Sequence, residues 1–88
     1  MIAVDTNILV YAHRADLSFH ERARASVESL AAGAQRWAVP WPCVHEFLAV
    51  VTNPRVFRQP SPITMAASMV RALADSGRCE FLAEGDRH

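Results

Sequence analysis

The sequence predicts an α/β fold built on a parallel sheet, and three observations carry that expectation. Short apolar runs, too brief for helices, stand at residues 2–4, 37–39 and 79–82. Between them, apolar residues recur every three or four positions, the period of a helix with one buried face. The resulting order is β-α-α-β-α-α-β. Strands alternating with amphipathic helices indicate parallel strands joined by right-handed helical crossovers, with helices on both faces of the sheet.

The first strand, Ile2 to Val4, reads as buried, and a tight turn leads from it into a short helix over Asn7 to Ala12. Ser18 and Glu21 have the S-x-x-E spacing of a capping box, so the second helix is expected to start there and to end before Gly33. Its apolar face is Phe19, Ala23, Val27, Leu30 and Ala34. Trp37 to Val39 forms the second strand, closed by Pro40. Pro42 suits the first position of a third helix, whose face is Val44, Phe47, Leu48 and Val51 and which Asn53-Pro54 stops. After a loop over Arg55 to Pro60, Ser61-Pro62 reads as the N-cap and first turn of a fourth helix. Ile63, Ala66, Ala67, Val70, Leu73 and Ala74 face its core side, and Gly77 ends it. Cys79 to Leu82 is the third strand, and Glu84 to His88 begins a further segment.

A chain of 88 residues makes one domain at most and buries only about 60–65% of the surface it exposes when unfolded. At 51% hydrophobic and 20% charged residues it is too apolar for a disordered protein. Nine basic residues balance nine acidic ones, which excludes a global basic field for gripping nucleic acid. All nine basic residues are arginine, suited to bidentate phosphate contact and equally explained by genome composition. Cys43 and Cys79 form no CxxC pair and no zinc spacing, as in a reduced protein. Neither a signal peptide nor an apolar run of membrane-spanning length is present, so a cytoplasmic protein is expected.

In parallel sheets, ligands sit beyond the carboxyl ends of the strands. Asp5 lies there, followed by Thr6 and Asn7. Any of the three can cap the helix that follows, so capping alone accounts for one of them. A carboxylate, a hydroxyl and an amide together also resemble a hydrogen-bonded metal site. Glu46 is the second oddity, since it lies inside VHEFLAVV, the most apolar helix. It shares a stripe with Cys43, Val50 and Asn53 that flanks the apolar face, so it either looks out to water or has a partner, and an arginine ion pair is the plain alternative to a ligand role. His13, His20 and His45 lack ligand spacing and read as surface or core residues. Arg14, Arg55 and Arg58 fall in loops or near helix ends, either solvated or placed to meet phosphates. Trp37 and Trp41 flank the second strand and read as core or rim.

VDTNIL after a short first strand resembles the opening of PIN-domain nucleases, and PCVHEFLAVVTNPRVF resembles the stretch carrying their second acid. TNPRVF and CEFLAEGDRH are similar to VapC toxins, the ribonuclease halves of type II toxin–antitoxin pairs. The resemblance implies a three-layer α/β/α sandwich and metal-dependent endoribonuclease activity. It implies Mg²⁺ (or Mn²⁺) on Asp5 and Glu46, with Asn7 supporting the first acid; beside it, Thr6 is read from its position as a further supporting polar residue, and Arg14 and Arg55 as candidate RNA contacts. It also implies a VapB-type antitoxin as partner and leaves a homodimer open. Hard oxygen ligands suit Mg²⁺, which keeps several waters and binds through few carboxylates.

The family carries further aspartates beyond the third strand, and Asp75 and Asp86 match neither of them. The chain therefore reads as the N-terminal two thirds of a single PIN domain (residues 1–88), lacking its C-terminal strands and helices. An unprotected apolar first strand, instability or self-association, and little or no nuclease activity of this chain alone are the corresponding expectations. Two other readings compete. A non-catalytic PIN remnant would bind antitoxin or RNA without cleaving. A haloacid-dehalogenase-type phosphatase would use Asp5 as nucleophile, but its DxD pattern is broken by Asn7.

Overall fold

Trp37, Ala38 and Val39 are consecutive and each is fully buried. Successive side chains of a strand point to opposite faces, so both faces of the sheet are covered at this strand. The computed structural model describes residues 2–83. Within them run β1 (Ile2–Ala3), α1 (Thr6–His13), α2 (His20–Ala32), β2 (Trp37–Pro40), α3 (Trp41–Val51), α4 (Ile63–Ala74) and β3 (Cys79–Leu82). This is the predicted order, and all strand pairs are parallel.

β2 is central. β1 pairs on one side, with Ile2 opposite Trp37, and the Val4 N–H continues the ladder to the Ala38 carbonyl at 2.9 Å. β3 pairs on the other side, from Cys79 opposite Trp37 to Leu82 opposite Pro40. Because the strands are parallel, their carboxyl ends share one edge of the sheet, and there the chain passes from β1 into Asp5 and from β2 into α3. Asp75, which caps the end of α4 just before β3, lies towards the opposite edge. Trp37, Phe47, Leu9, Val39, Val44 and Val51 anchor one core, each fully buried side chain of this size contributing roughly 1.5–3 kcal/mol.

Several expectations about local structure are overturned. β1 is not a buried strand: Ile2 is 42% exposed and Ala3 is exposed, because β1 is an edge of this sheet and only Val4 turns into the core. The Ser18–Glu21 capping box does not form. Phe19 occupies the N-cap of α2 without a side-chain cap bond, and the Glu21 carboxylate accepts from Arg24 instead at 2.9 Å. Backbone turns hold this entry, His20 N–H to Leu17 O at 3.1 Å and Ala23 N–H to Phe19 O at 3.0 Å. Phe19 is thus outside the core and 51% exposed, its ring tilted against Tyr11 at 5.5 Å. Ala34 falls beyond the helix end.

In α3, Trp41 is the first residue and Pro42 the second, still within the turn that needs no amide donor. Val44, Phe47 and Val51 are buried, with Leu48 at the margin. Ser61 does not cap α4; Pro62 holds that position and makes no side-chain cap bond. The buried stripe of α4 runs through Ala66 and Leu73 and takes in Met69, which leaves Ile63, Ala67 and Ala74 exposed. Gly77 adopts φ +84°, the left-handed conformation that glycine reaches without a Cβ clash. The segment Glu84 to His88, including Asp86, lies outside the described residues.

Candidate functional site

Asp5 is the N-cap of α1: its backbone is extended and its Oδ1 accepts the Ile8 N–H at 3.3 Å. The bond is long and the side chain is exposed, so capping leaves carboxylate oxygen open to solvent. Thr6, the first residue of α1, is buried. Its Oγ1 donates to Glu46 Oε1 at 2.6 Å, bridging 40 positions of sequence and tying the start of α1 to the middle of α3. Glu46 therefore has a partner, and that partner is a hydroxyl rather than an arginine. Among the described residues the donated proton leaves Oε2 and the second lone pair of Oε1 without a hydrogen-bond donor. Asn7 is exposed, and its amide makes no side-chain hydrogen bond among the described residues.

The arginines separate. Arg14 is held inside the fold, its side chain only 11% exposed. Nε and one terminal nitrogen grip both oxygens of Asp16, at 3.0 and 2.7 Å. The other terminal nitrogen donates to the Gln59 carbonyl at 2.7 Å and to Ser61 Oγ at 3.2 Å, while the guanidinium lies 4.1 Å from the Phe57 ring centroid. Each guanidinium nitrogen is engaged, so this geometry gives Arg14 a structural use. Arg55 and Arg58 are exposed on the loop after α3.

The histidines are not gathered with the acids. His13 Nε2 meets Ser61 Oγ at 2.9 Å, and its ring stands edge-on to Phe47 at 5.4 Å. Burial lowers its pKa below 6.5, and the Arg14 charge and His20 lower it further. His20 Nδ1 meets the Tyr11 carbonyl at 2.9 Å. The thiol of Cys79 is pushed up to about 11 by burial and the Glu80 charge, which keeps it protonated and unreactive.

Sequence reasoning missed Ser61 and Phe57, which receive the carboxyl end of α1. A serine before a proline reads as a helix cap, and a lone phenylalanine in a polar loop gives no periodicity. It also left Trp41 between core and rim, where the structure places it at the surface in ring contact with His45 and Phe81.

The donor set at the carboxyl edge consists of two carboxylates, a hydroxyl and an amide, all hard oxygen donors. Such a set fits Mg²⁺ or Mn²⁺ better than softer metals. Among the described residues no group of three His, Cys, Asp or Glu side chains is disposed to hold a metal.

Comparison with known proteins bears directly on this arrangement. The family described as PIN domain matches residues 2–88. Ribonuclease VapC43 of Mycobacterium tuberculosis is 41% identical over 88 residues, all of this chain and 60% of the relative. A VapC ribonuclease of Mycobacterium bovis matches at the same identity and coverage. Ribonuclease VapC33 of Mycobacterium tuberculosis is 32% identical over 88 residues, all of this chain and 62% of the relative. The chain thus spans about three fifths of the length of these curated relatives. With the parallel α/β fold and the acid at the end of β1, these matches establish that the chain belongs to the PIN-domain family.

Proposed function

We propose that the chain carries the first half of the metal site of a VapC-type toxin ribonuclease, within the N-terminal two thirds of one PIN domain. The observation that carries this reading is the 2.6 Å bond from Thr6 to Glu46, which ties the neighbour of Asp5 to the second acid. Asp5 and Glu46 are the residues that would hold Mg²⁺ or Mn²⁺. When bound, a divalent cation offsets charge building on a phosphodiester and acidifies a water molecule. The chain's own contribution is positional. Thr6 fixes the orientation of Glu46, the α1 amide at Ile8 steadies Asp5, and the Asn7 amide stands exposed beside them. RNA is the substrate on this reading, Arg55 is a candidate phosphate contact, and a VapB-type antitoxin is the partner. The cytoplasm is the proposed compartment; no helix among the described residues is long and apolar enough to cross a membrane.

The test is a Mn²⁺ titration followed by electron paramagnetic resonance, alongside RNA degradation with and without EDTA. The full chain should bind Mn²⁺, and Asp5→Asn and Glu46→Gln should each weaken binding at least about tenfold, as removal of a charged ligand does. Unchanged binding in both variants overturns the reading. The absence of a third acid among the described residues favours a second reading, a PIN unit that binds RNA or antitoxin without cleaving. Metal binding without RNA degradation would select it.

A further inference from the structure

The open face of α3 carries more than Glu46. Trp41, Pro42, His45, Glu46 and Ala49 are its exposed residues. At 3.6 residues per turn they fall within one arc of roughly 140°, with Trp41 at one border, Glu46 at the other and His45 between. The arc holds no arginine and no long aliphatic side chain. Trp41 is the first residue of the helix, so it sits at the carboxyl edge of β2, on the edge where Asp5 follows β1.

Trp41 is 38% exposed, in contrast to Trp37, which is fully buried. The Phe81 ring of β3 lies against it at 5.0 Å and 31°, and the His45 ring at 6.0 Å and 33°. Both are tilted ring contacts, and they brace the indole from two sides. Beside them is an open hollow of about 520 Å³ lined by Trp41, Pro42, His45 and Ala83. Adjacent strands are about 4.8 Å apart, so β3 stands roughly 10 Å from β1 along the shared edge. A chain of nucleotides lying over that edge would therefore set a base near these rings when a neighbouring phosphate is at the acids.

We propose that Trp41, held by Phe81 and flanked by His45, is a stacking subsite for one unpaired base of the RNA substrate. The inference rests on the RNase reading above. Planar rings that brace one another at the carboxyl edge of the sheet, on the helix that carries Glu46, suit a nucleobase, which stacks without regard to sequence. An interface with another protein would call for aliphatic or aromatic bulk across the face, and Ala49 and Pro42 supply little.

The experiment uses a six-nucleotide oligo(rA) in EDTA with Asp5→Asn, so that no cleavage intervenes and an amide still caps α1. Adding Trp37→Phe leaves Trp41 as the sole tryptophan. Oligo(rA) should quench its emission, an abasic ribose-phosphate chain of equal length should not, and Trp41→Ala should weaken oligo(rA) binding about tenfold while Trp41→Phe restores most of it. If the Trp37→Phe variant fails to fold, the ring-proton resonances of His45, followed with Trp37 intact, should shift upfield on adding oligo(rA). Absence of both quenching and shift overturns the subsite, as does quenching that follows protein concentration without RNA, which would mark a second copy on these rings. Failure of the Mn²⁺ titration with base stacking intact would instead overturn the metal site alone.

Discussion

At its amino end α1 presents Asp5, Thr6 and Asn7; at its carboxyl end it presents His13 and Arg14. The first group is lightly held, with a 3.3 Å cap bond, one 2.6 Å bond to Glu46 and an amide left in solvent. The second is locked. Arg14 uses all three guanidinium nitrogens, and His13 is pinned between Ser61 and Phe47. One helix thus has a fastened end and an open end, and the open end is the one at the carboxyl edge of the sheet. Polar side chains consumed by the fold cannot also serve a ligand. The contrast therefore separates structural from functional residues more sharply than residue type does.

The largest effect should follow from loosening the fastened end. Arg14→Ala removes bonds to Asp16, the Gln59 carbonyl and Ser61, and the contact with Phe57. The Asp16 pair adds little, because that carboxylate is exposed and surface pairs contribute about 0–1 kcal/mol. The charged bond to the carbonyl and the cation–π contact dominate, so a loss of about 2–3 kcal/mol is expected in denaturant titrations. Folded Arg14→Ala protein should keep its Mn²⁺ affinity. A large change there would mean that the two ends are coupled and that the contrast is false.

Smaller effects should follow at the open end, where stability and ligand binding should part company. Asp5→Ala should cost about 1 kcal/mol as a lost cap, and Asp5→Asn only a small part of that, since both asparagine and aspartate cap well. Both should weaken Mn²⁺ binding at least about tenfold, and equal stability of the two variants would show that the cap bond contributes nothing. Thr6→Val keeps the shape of a buried residue and deletes the donor to Glu46, for a loss of about 1 kcal/mol. Its Mn²⁺ affinity should fall because Glu46 is no longer oriented. Retained affinity would reduce Thr6 to a packing residue.

The element order, the parallel sheet and the place of Asp5 between β1 and α1 were legible in the sequence. Hydrophobic period and the chemistry of strand ends are local properties. Cap positions were less legible. Ser18, Ser61 and Asp5 carry equally good capping chemistry, yet only Asp5 caps. What diverts Ser61 is tertiary: the end of α1, 47 positions earlier, brings Arg14 and His13 to its hydroxyl. The partners of Arg14 were hidden for the same reason, since Gln59 and Phe57 come from a loop without periodicity. The faces of α2 and α4 were drawn too wide at Phe19 and Ile63, because pattern alone does not tell how much helix surface a small sheet can cover.

The smallest expected effect is a pH dependence confined to the fastened end. Ser61 Oγ accepts from Arg14 and keeps its own proton and a second lone pair, so it can meet Nε2 of a neutral or a protonated His13. A protonated imidazole would, however, be partly buried and face the Arg14 charge. Burial and Arg14 accordingly hold the folded pKa of His13 below 6.5. Above pH 6.5 the residue is neutral in both states and folding is unaffected. As pH falls through 6.5 the unfolded chain takes up the proton first, so stability declines until the folded protein also protonates. The carboxylates act in a separate window: arginine partners lower Asp16 and Glu21 from reference values of 3.8 and 4.5, so their stabilisation fades only at more acidic pH. Denaturation midpoints measured from pH 7.5 to 5.0 should drop in the parent chain and drop less in His13→Asn, whose amide can still meet Ser61 and carries no charge. Parallel curves for the two proteins would show that His13 is not the titrating element of the latch.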